Sequence, residues 1–427
     1  MNDILNIREV PLRDESIAEY QHHEYEPITG TNLNNTGQIT LTIETQDLFL
    51  HPSKSYLMFE GTLTKADGSA YANDNVVTLT NNGIMHLFSN IKYQLSGQEI
   101  ESVNYPGQAT TMLGLLKYPD DFSKSRGLNQ LWYKDTHVTA SLDDNTGFQV
   151  RHDLIIKSPN PKGTFSFVVP LKHIFGFCED YNKIVYGVRH TLTLNRQSDD
   201  DAIFRAAAAP AGKVTLSKVS WWMPHVMPAD LEKYNLYKTI EDKTTRVAIA
   251  YRATQCDSIT VPQSTGFTWR LSARSCPERP RYIIVGFQTD RTRNQEKNPS
   301  IFDHANVVNI WATLNSSKYP TVSYNISFPM HKYSRPYHDA VEFRSKLFNM
   351  DELVSNCNIT PSDYKSLYPL FVFDVSKQSE KLKESVTDIH IKAQFGENVP
   401  ANTEAYAVLI SDKMLSFQSD GNKMFVV

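Results

Sequence analysis

Period-two alternation of apolar and polar residues, punctuated by turns, runs through this chain twice in the same order. The stretch 298–314, NPSIFDHANVVNIWATL, opens on an Asn298-Pro299-Ser300 turn. It continues through Val308, Ile310, Ala312 and Leu314 and closes on Asn315-Ser316. Such alternation marks a strand with one buried face. The stretch 87–97, LFSNIKYQLSG, repeats the form with Ile91, Tyr93 and Leu95 before a Ser-Gly turn.

The neighbours of these two strands match as well. SYLMFEGTLTKADG precedes the first and RYIIVGFQTDRTR the second. A loop and one apolar-striped helix follow each. The first helix, 108–118, carries Ala109, Met112, Leu113 and Leu116; the second, 339–350, carries Ala340, Phe343, Leu347 and Phe348. An apolar strand (FSFVVPL, LFVFDVS) and an alternating one (VRHTLTLNR, DIHIKAQF) complete each half. Element order survives while residue identity does not. That implies a duplicated antiparallel unit, an all-β chain of two tandem eight-stranded jelly rolls with a few short helices. The chain has 427 residues, enough for two cores.

Further strands are expected at 39–43, 214–226, 368–375, 405–410 and 414–427, and a helix at 228–242 with Leu231, Tyr234, Tyr237 and Ile240 on one side. The low-complexity stretch AAAAPAG at 206–212 suits a tight crossing between packed units. The expected division is therefore an N-terminal arm at 1–35, a first roll at 36–205 and a second at 213–427. The polar region 119–160 reads as surface loops with short strands, and Asp199-Asp200-Asp201 as a solvated hairpin tip.

No phosphate-binding glycine loop, nucleophile elbow or HExxH helix occurs. His22-His23-Glu24 has no second ligand group at a metal-site spacing; it reads as part of an arm that docks on a neighbouring subunit. Cys178 lies beside Glu179 and Asp180, and acids raise a thiol pKa, the wrong direction for a nucleophile. His190 reads as a hydrogen-bonded structural histidine. The four cysteines, Cys178, Cys256, Cys276 and Cys357, are far apart and read as reduced, mostly buried thiols. The four Asn-x-Ser/Thr triplets, at Asn34, Asn315, Asn325 and Asn358, read as chance occurrences. Formal charge is −4, without the basic field that broad nucleic-acid binding requires. Arg279, Arg281, Arg291 and Arg293 read as subunit salt-bridge residues. No signal peptide, membrane span, catalytic residue, cofactor site or metal site is expected.

EYEPITG, QDLFLHPSKSYLMFEG, LFSNIKYQLSGQEI, GVRHTLTLNR with DDDAIF, and NPSIFDHANVVNIWATLN resemble the double jelly-roll major capsid proteins of polinton and adintovirus type elements, distant relatives of the adenovirus hexon. The resemblance runs from about residue 20 to the C-terminus. It implies a structural, non-enzymatic protein of the virion shell that forms pseudo-hexagonal homotrimers. Its expected partners are neighbouring capsomers, a penton and other minor capsid proteins. The arm at 1–35 and the loops at 119–160 and 316–338 are expected to supply subunit contacts. The alternative is a jelly-roll carbohydrate-binding protein with Trp132-Tyr133 or Trp221-Trp222 as its aromatic platform.

Overall fold

The computed structural model describes residues 15–28, 31–34, 36–44, 48–242, 246–271, 279–351, 353, 357–377, 388–419 and 424–426. Cys276 and the first fourteen residues of the expected arm lie outside them.

Sixteen principal strands form two sets of eight. The first set is β1 (Ile17–Tyr25), β2 (Gln38–Ile43), β3 (Tyr56–Lys65), β4 (Phe88–Leu95), β5 (Gln98–Asn104), β6 (Thr164–Pro170), β7 (His190–Arg196) and β8 (Gly212–Pro228). The second is β9 (Arg246–Thr260), β10 (Gly266–Arg270), β11 (Arg279–Thr289), β12 (Val307–Leu314), β13 (Ser317–Tyr319), β14 (Phe371–Asp374), β15 (Ile389–Phe395) and β16 (Thr403–Ser419). The first eight build one sheet in which β6, β3, β8 and β1 are successive neighbours and another ordered β2-β7-β4-β5. The second eight build β14-β11-β16-β9 and β10-β15-β12-β13. Every pairing among them is antiparallel. Each strand of the second set thus holds the place of the strand eight before it, and each set has jelly-roll order.

The two strands that anchored the sequence reading, β4 and β12, show the same alternation of buried and half-buried positions over eight residues. Both enter two-residue turns, at Ser96-Gly97 and Asn315-Ser316. Ser96, Gly97 and Asn315 have φ of 48°, 86° and 51°, the left-handed values that tight hairpins use. Trp221, Tyr93, Phe175 and Phe177 sit in the interior of the first roll, and Phe287, Phe371 and Phe395 in that of the second.

Several expectations change. The hydrogen bonding does not divide at 206–212. β8 pairs with β3 and β1, so the strand expected to open the second half closes the sheet of the first. The Ala-Pro stretch is a turn pinned by Tyr71 Oη to the Pro210 carbonyl at 2.9 Å. Part of the expected arm is β1 itself, eight of whose nine residues are exposed. The expected strands at 405–410 and 414–427 are mostly one continuous strand, β16. β9 and β10 lie outside the strands expected from the sequence.

Among the described residues, six α-helices accompany the sheets: α1 (Pro106–Lys117), α2 (Thr146–His152), α3 (Gly176–Asp180), α4 (Asp230–Glu241), α5 (Ser334–Phe348) and α6 (Pro361–Ser366). Region 119–160 contains α2, two tight 3-10 turns and a wider π-helical turn at Asp153–Lys157, and no strand, and its Leu131, Trp132, Asp135, Asn145, Phe148 and Arg151 are buried. The acids at 199–201 are engaged, not solvated. Asp199 takes Arg196 and the Val214 amide, Asp200 takes Gln295, and Asp201 takes the Arg293 amide.

Candidate functional site

The strongest concentration of buried polar chemistry lies where the two rolls meet. β5 delivers Glu101 to this seam with 2% of its surface exposed. Its carboxylate accepts the backbone N–H groups of Gly176 at 3.0 Å and Phe177 at 3.1 Å from α3, and of Thr254 at 2.7 Å from β9. One side chain therefore caps two rolls at once. Around it, Tyr251 Oη and Lys413 Nζ both donate to the Ile100 carbonyl, at 2.9 and 3.0 Å. Arg252 forks onto Asp180, with Nε 2.9 Å from Oδ2, and donates to the Leu347 carbonyl.

Burial pushes the Glu101 carboxyl up from 4.5 to about 7, while the three N–H groups and Lys413 pull the other way. The group therefore holds its proton more tightly folded than unfolded. Its contribution to stability is full below pH 4.5 and is lost as pH rises through about 7. Wild-type protein is expected to lose roughly 3 kcal/mol relative to Glu101→Gln between pH 4.5 and 8. Urea titrations of both proteins across that range measure it; parallel pH profiles would refute the assignment. Subtracting the variant is essential, because buried His86 and His190 and half-buried His173 are held neutral, with pKa values lowered to about 3, and act with the opposite sign.

A second network ties the region 131–152 to the second roll. Asp135 Oδ1 accepts from Arg151 Nη2 at 2.7 Å and Asn145 Nδ2 at 2.9 Å. Asp135 Oδ2 accepts from Asn298 Nδ2 at 2.8 Å and lies 3.3 Å from Ser300 Oγ. Asn298 Oδ1 in turn accepts from Thr80 Oγ1 at 2.8 Å. Tyr368 Oη donates to the Asp135 carbonyl at 2.7 Å, and Arg151 also reaches the Leu79 and Tyr133 carbonyls. The Asp135–Arg151 ion pair is fully shielded from solvent. A region expected to serve subunit contacts thus joins the two halves of one chain.

The residues singled out for chemistry are scattered. His23 stacks on His225 with centroids 3.9 Å apart, His22 lies against Tyr56, and Glu24 pairs with Lys218 at 2.6 Å. Among the described residues, no three metal-ligating side chains converge. Cys178 is buried, its thiol pushed well up by burial and by Glu101. Cys256 and Cys357 are also buried and free. His190 Nδ1 is 2.7 Å from Tyr93 Oη, in the structural role expected of it. Arg281 and Arg291 pair with Asp412 and Asp303 of the same chain, each at 2.6 Å. Of the two aromatic pairs named for sugar binding, Trp132 and Trp221 are buried, while Tyr133 and Trp222 are half-buried. An apolar cavity of about 190 Å³ lies between α4 and the sheets, lined by Phe49, Tyr186, Leu236, Ile240 and Phe417.

A profile of the double jelly roll-like domain matches residues 77–415, most of both rolls. The chain belongs to the double jelly roll-like domain family. Among solved structures, this double jelly roll is similar over 99% of its length to a chain in the structure of the Sputnik virophage. The TM-score is 0.62 at 9% identity, with 91% of that chain covered. The VP54 protein of the virus PBCV-1, fitted into a reconstruction of Sputnik, aligns at TM-score 0.58 and 9% identity over 98% of this chain and 99% of that one. The mavirus major capsid protein aligns at 0.55 and 12% over 99% and 92%. No curated protein sequence matches the double jelly roll described here. At such identities the likeness is one of fold. No helix among the described residues is long and apolar enough to cross a membrane.

Proposed function

We propose that this chain is a major capsid protein, a structural and non-enzymatic component of an icosahedral virion shell, of the polinton and adintovirus type. The observation that carries the reading is the agreement in fold over 98–99% of the chain with chains from virus structures, one of them the mavirus major capsid protein. Two eight-stranded units locked by buried ionic and hydrogen-bonded contacts form one rigid block, and three such blocks make a six-cornered tile. In this reading the first roll ends with β8, and α4 carries the chain into the second; the strand pairing of β8 with β3 and of β9 with β16 supports it. Neighbouring capsomers, a penton and minor capsid proteins are the partners in this reading.

Three chains of 48.6 kDa give a particle of about 146 kDa. Light scattering of purified protein is expected to show that mass, and negative-stain images to show hexagonal plates or closed shells. A stable monomer at micromolar concentration would overturn the proposal. Glycan binding by that monomer would favour the carbohydrate-binding alternative.

A further inference from the structure

The cavity of about 190 Å³ beside α4 lies where the two rolls meet. One side comes from the first roll. Phe49 and Tyr186 sit on the short antiparallel pair Phe49–Leu50 and Val185–Tyr186, with ring centroids 4.5 Å apart. Another side comes from the second roll, where Val247 of β9 is in register with Phe417 of β16. Leu236 and Ile240, one turn apart on α4, supply a third. The Ser419 hydroxyl donates to the Ile240 carbonyl and ties the end of that helix to β16. Phe49, Val226 and Ile240 make a small apolar cluster of their own. Phe417 belongs to the main core and Val247 packs on it. The cavity therefore lies between two apolar clusters that do not close on each other.

The polar groups of the lining are few and committed. Tyr181 Oη donates to the Ile184 carbonyl at 3.2 Å, and Thr239 Oγ1 to the Asn235 carbonyl at 3.0 Å. A buried water needs roughly two to four polar partners, so such a space favours carbon over water. A cavity of about 150 Å³ takes one benzene ring, and this one is suited to a chain of about six to ten carbons. Among the described residues, the lining has one charged side chain, Lys183, exposed on the loop that leads into Val185–Tyr186. No described carboxylate pairs with it.

We propose that this cavity binds a single-chain carboxylate of the medium-chain fatty-acid class. The tail lies among Phe49, Leu236, Ile240 and Phe417, and the carboxylate meets the Lys183 ammonium. Such a ligand touches the first roll, α4 and the second roll together. Binding therefore stabilises their packed arrangement, as ligands seated between structural units do.

Isothermal titration calorimetry of the full chain with octanoate, hexanoate and octanol tests the site. Octanoate is expected to bind once per chain, and about tenfold more tightly than hexanoate, since each buried methylene adds about a factor of three to four. The gain is expected to stop near about ten carbons, when the cavity is full. Val247→Phe places a ring in the cavity and is expected to weaken octanoate and octanol alike, by roughly tenfold or more. Lys183→Glu replaces attraction by repulsion at an exposed position. It is expected to weaken octanoate about tenfold and to change octanol by less than about twofold. Circular dichroism verifies that each variant is folded, and if Val247→Phe does not fold, Lys183→Glu and the chain-length series still decide. No binding of octanoate, binding unchanged in both variants, or affinity that keeps rising beyond about ten carbons would overturn the site. Octanol matching octanoate in the wild type, or losing as much in Lys183→Glu, would overturn the place assigned to the carboxylate.

Discussion

Asp135→Ala is expected to cost about 3–5 kcal/mol of folding free energy, the usual penalty for removing one partner of a buried ion pair. The carboxylate is 1% exposed and gathers Arg151, Asn145 and Asn298 around two oxygens. Removing it strands a guanidinium in the interior and leaves two amide groups without their acceptor. Asp135→Asn is expected to be nearly as harmful. It keeps the shape, but turns an N–H group toward one pair of donors and leaves the Arg151 charge unbalanced. Coupling Asp135→Ala with Arg151→Met should recover part of the loss, because the charge then leaves with its partner. Recovery stays incomplete, since the Leu79 and Tyr133 carbonyls lose their donor. Urea unfolding of the three variants tests the series. A loss under 1 kcal/mol for Asp135→Ala, or a double variant worse than the single by the full additive amount, would refute the account.

This network also shows why part of the molecule could be read from its sequence and part could not. β4 and β12 were legible because each buries one face, and a half-buried strand writes that fact as alternation. β1 has no core behind it, so its sequence, IAEYQHHEY, carries histidines and acids where alternation would be. Region 119–160 failed for the opposite reason. Its Asp, Asn and Arg side chains satisfy one another in the interior, and composition alone does not separate a buried network from a wet loop. The stripe of α4 was read correctly as a pattern, but of its four residues only Ile240 is buried. Leu231 and Tyr234 are 70% and 64% exposed, because none of the described residues covers them. Neither Glu101 nor Asp135 carries a local signal, since each depends on backbone amides or side chains far away in sequence. Asn298 sits in the turn that opened the sequence reading, and its role appears only when Asp135 arrives across the fold.

Gly176→Ala is the second change expected to have a large effect, and it acts on the seam by shape alone. A Cβ at this position would sit 1.6 Å from the Arg252 carbonyl oxygen and 2.7 Å from its carbon, both backbone atoms of β9. No rotamer relieves such a contact, so β9 has to move away from α3. That movement stretches the 2.7 Å bond from the Thr254 amide to Glu101 and the 2.8 Å bond from the Arg252 amide to Asp180. Overpacking of this kind costs about 1–3 kcal/mol, and a buried carboxylate losing one of its donors adds about 1–3 kcal/mol. Gly266→Ala serves as the control, because no atom lies within 4 Å of its added Cβ. If the seam is what makes one rigid block of two rolls, Gly176→Ala lowers the urea midpoint sharply and opens the chain to protease between the rolls, while Gly266→Ala does neither. Equal midpoints for the two variants would mean that β9 shifts freely against α3, and the seam would then not be the element that sets one roll's position against the other.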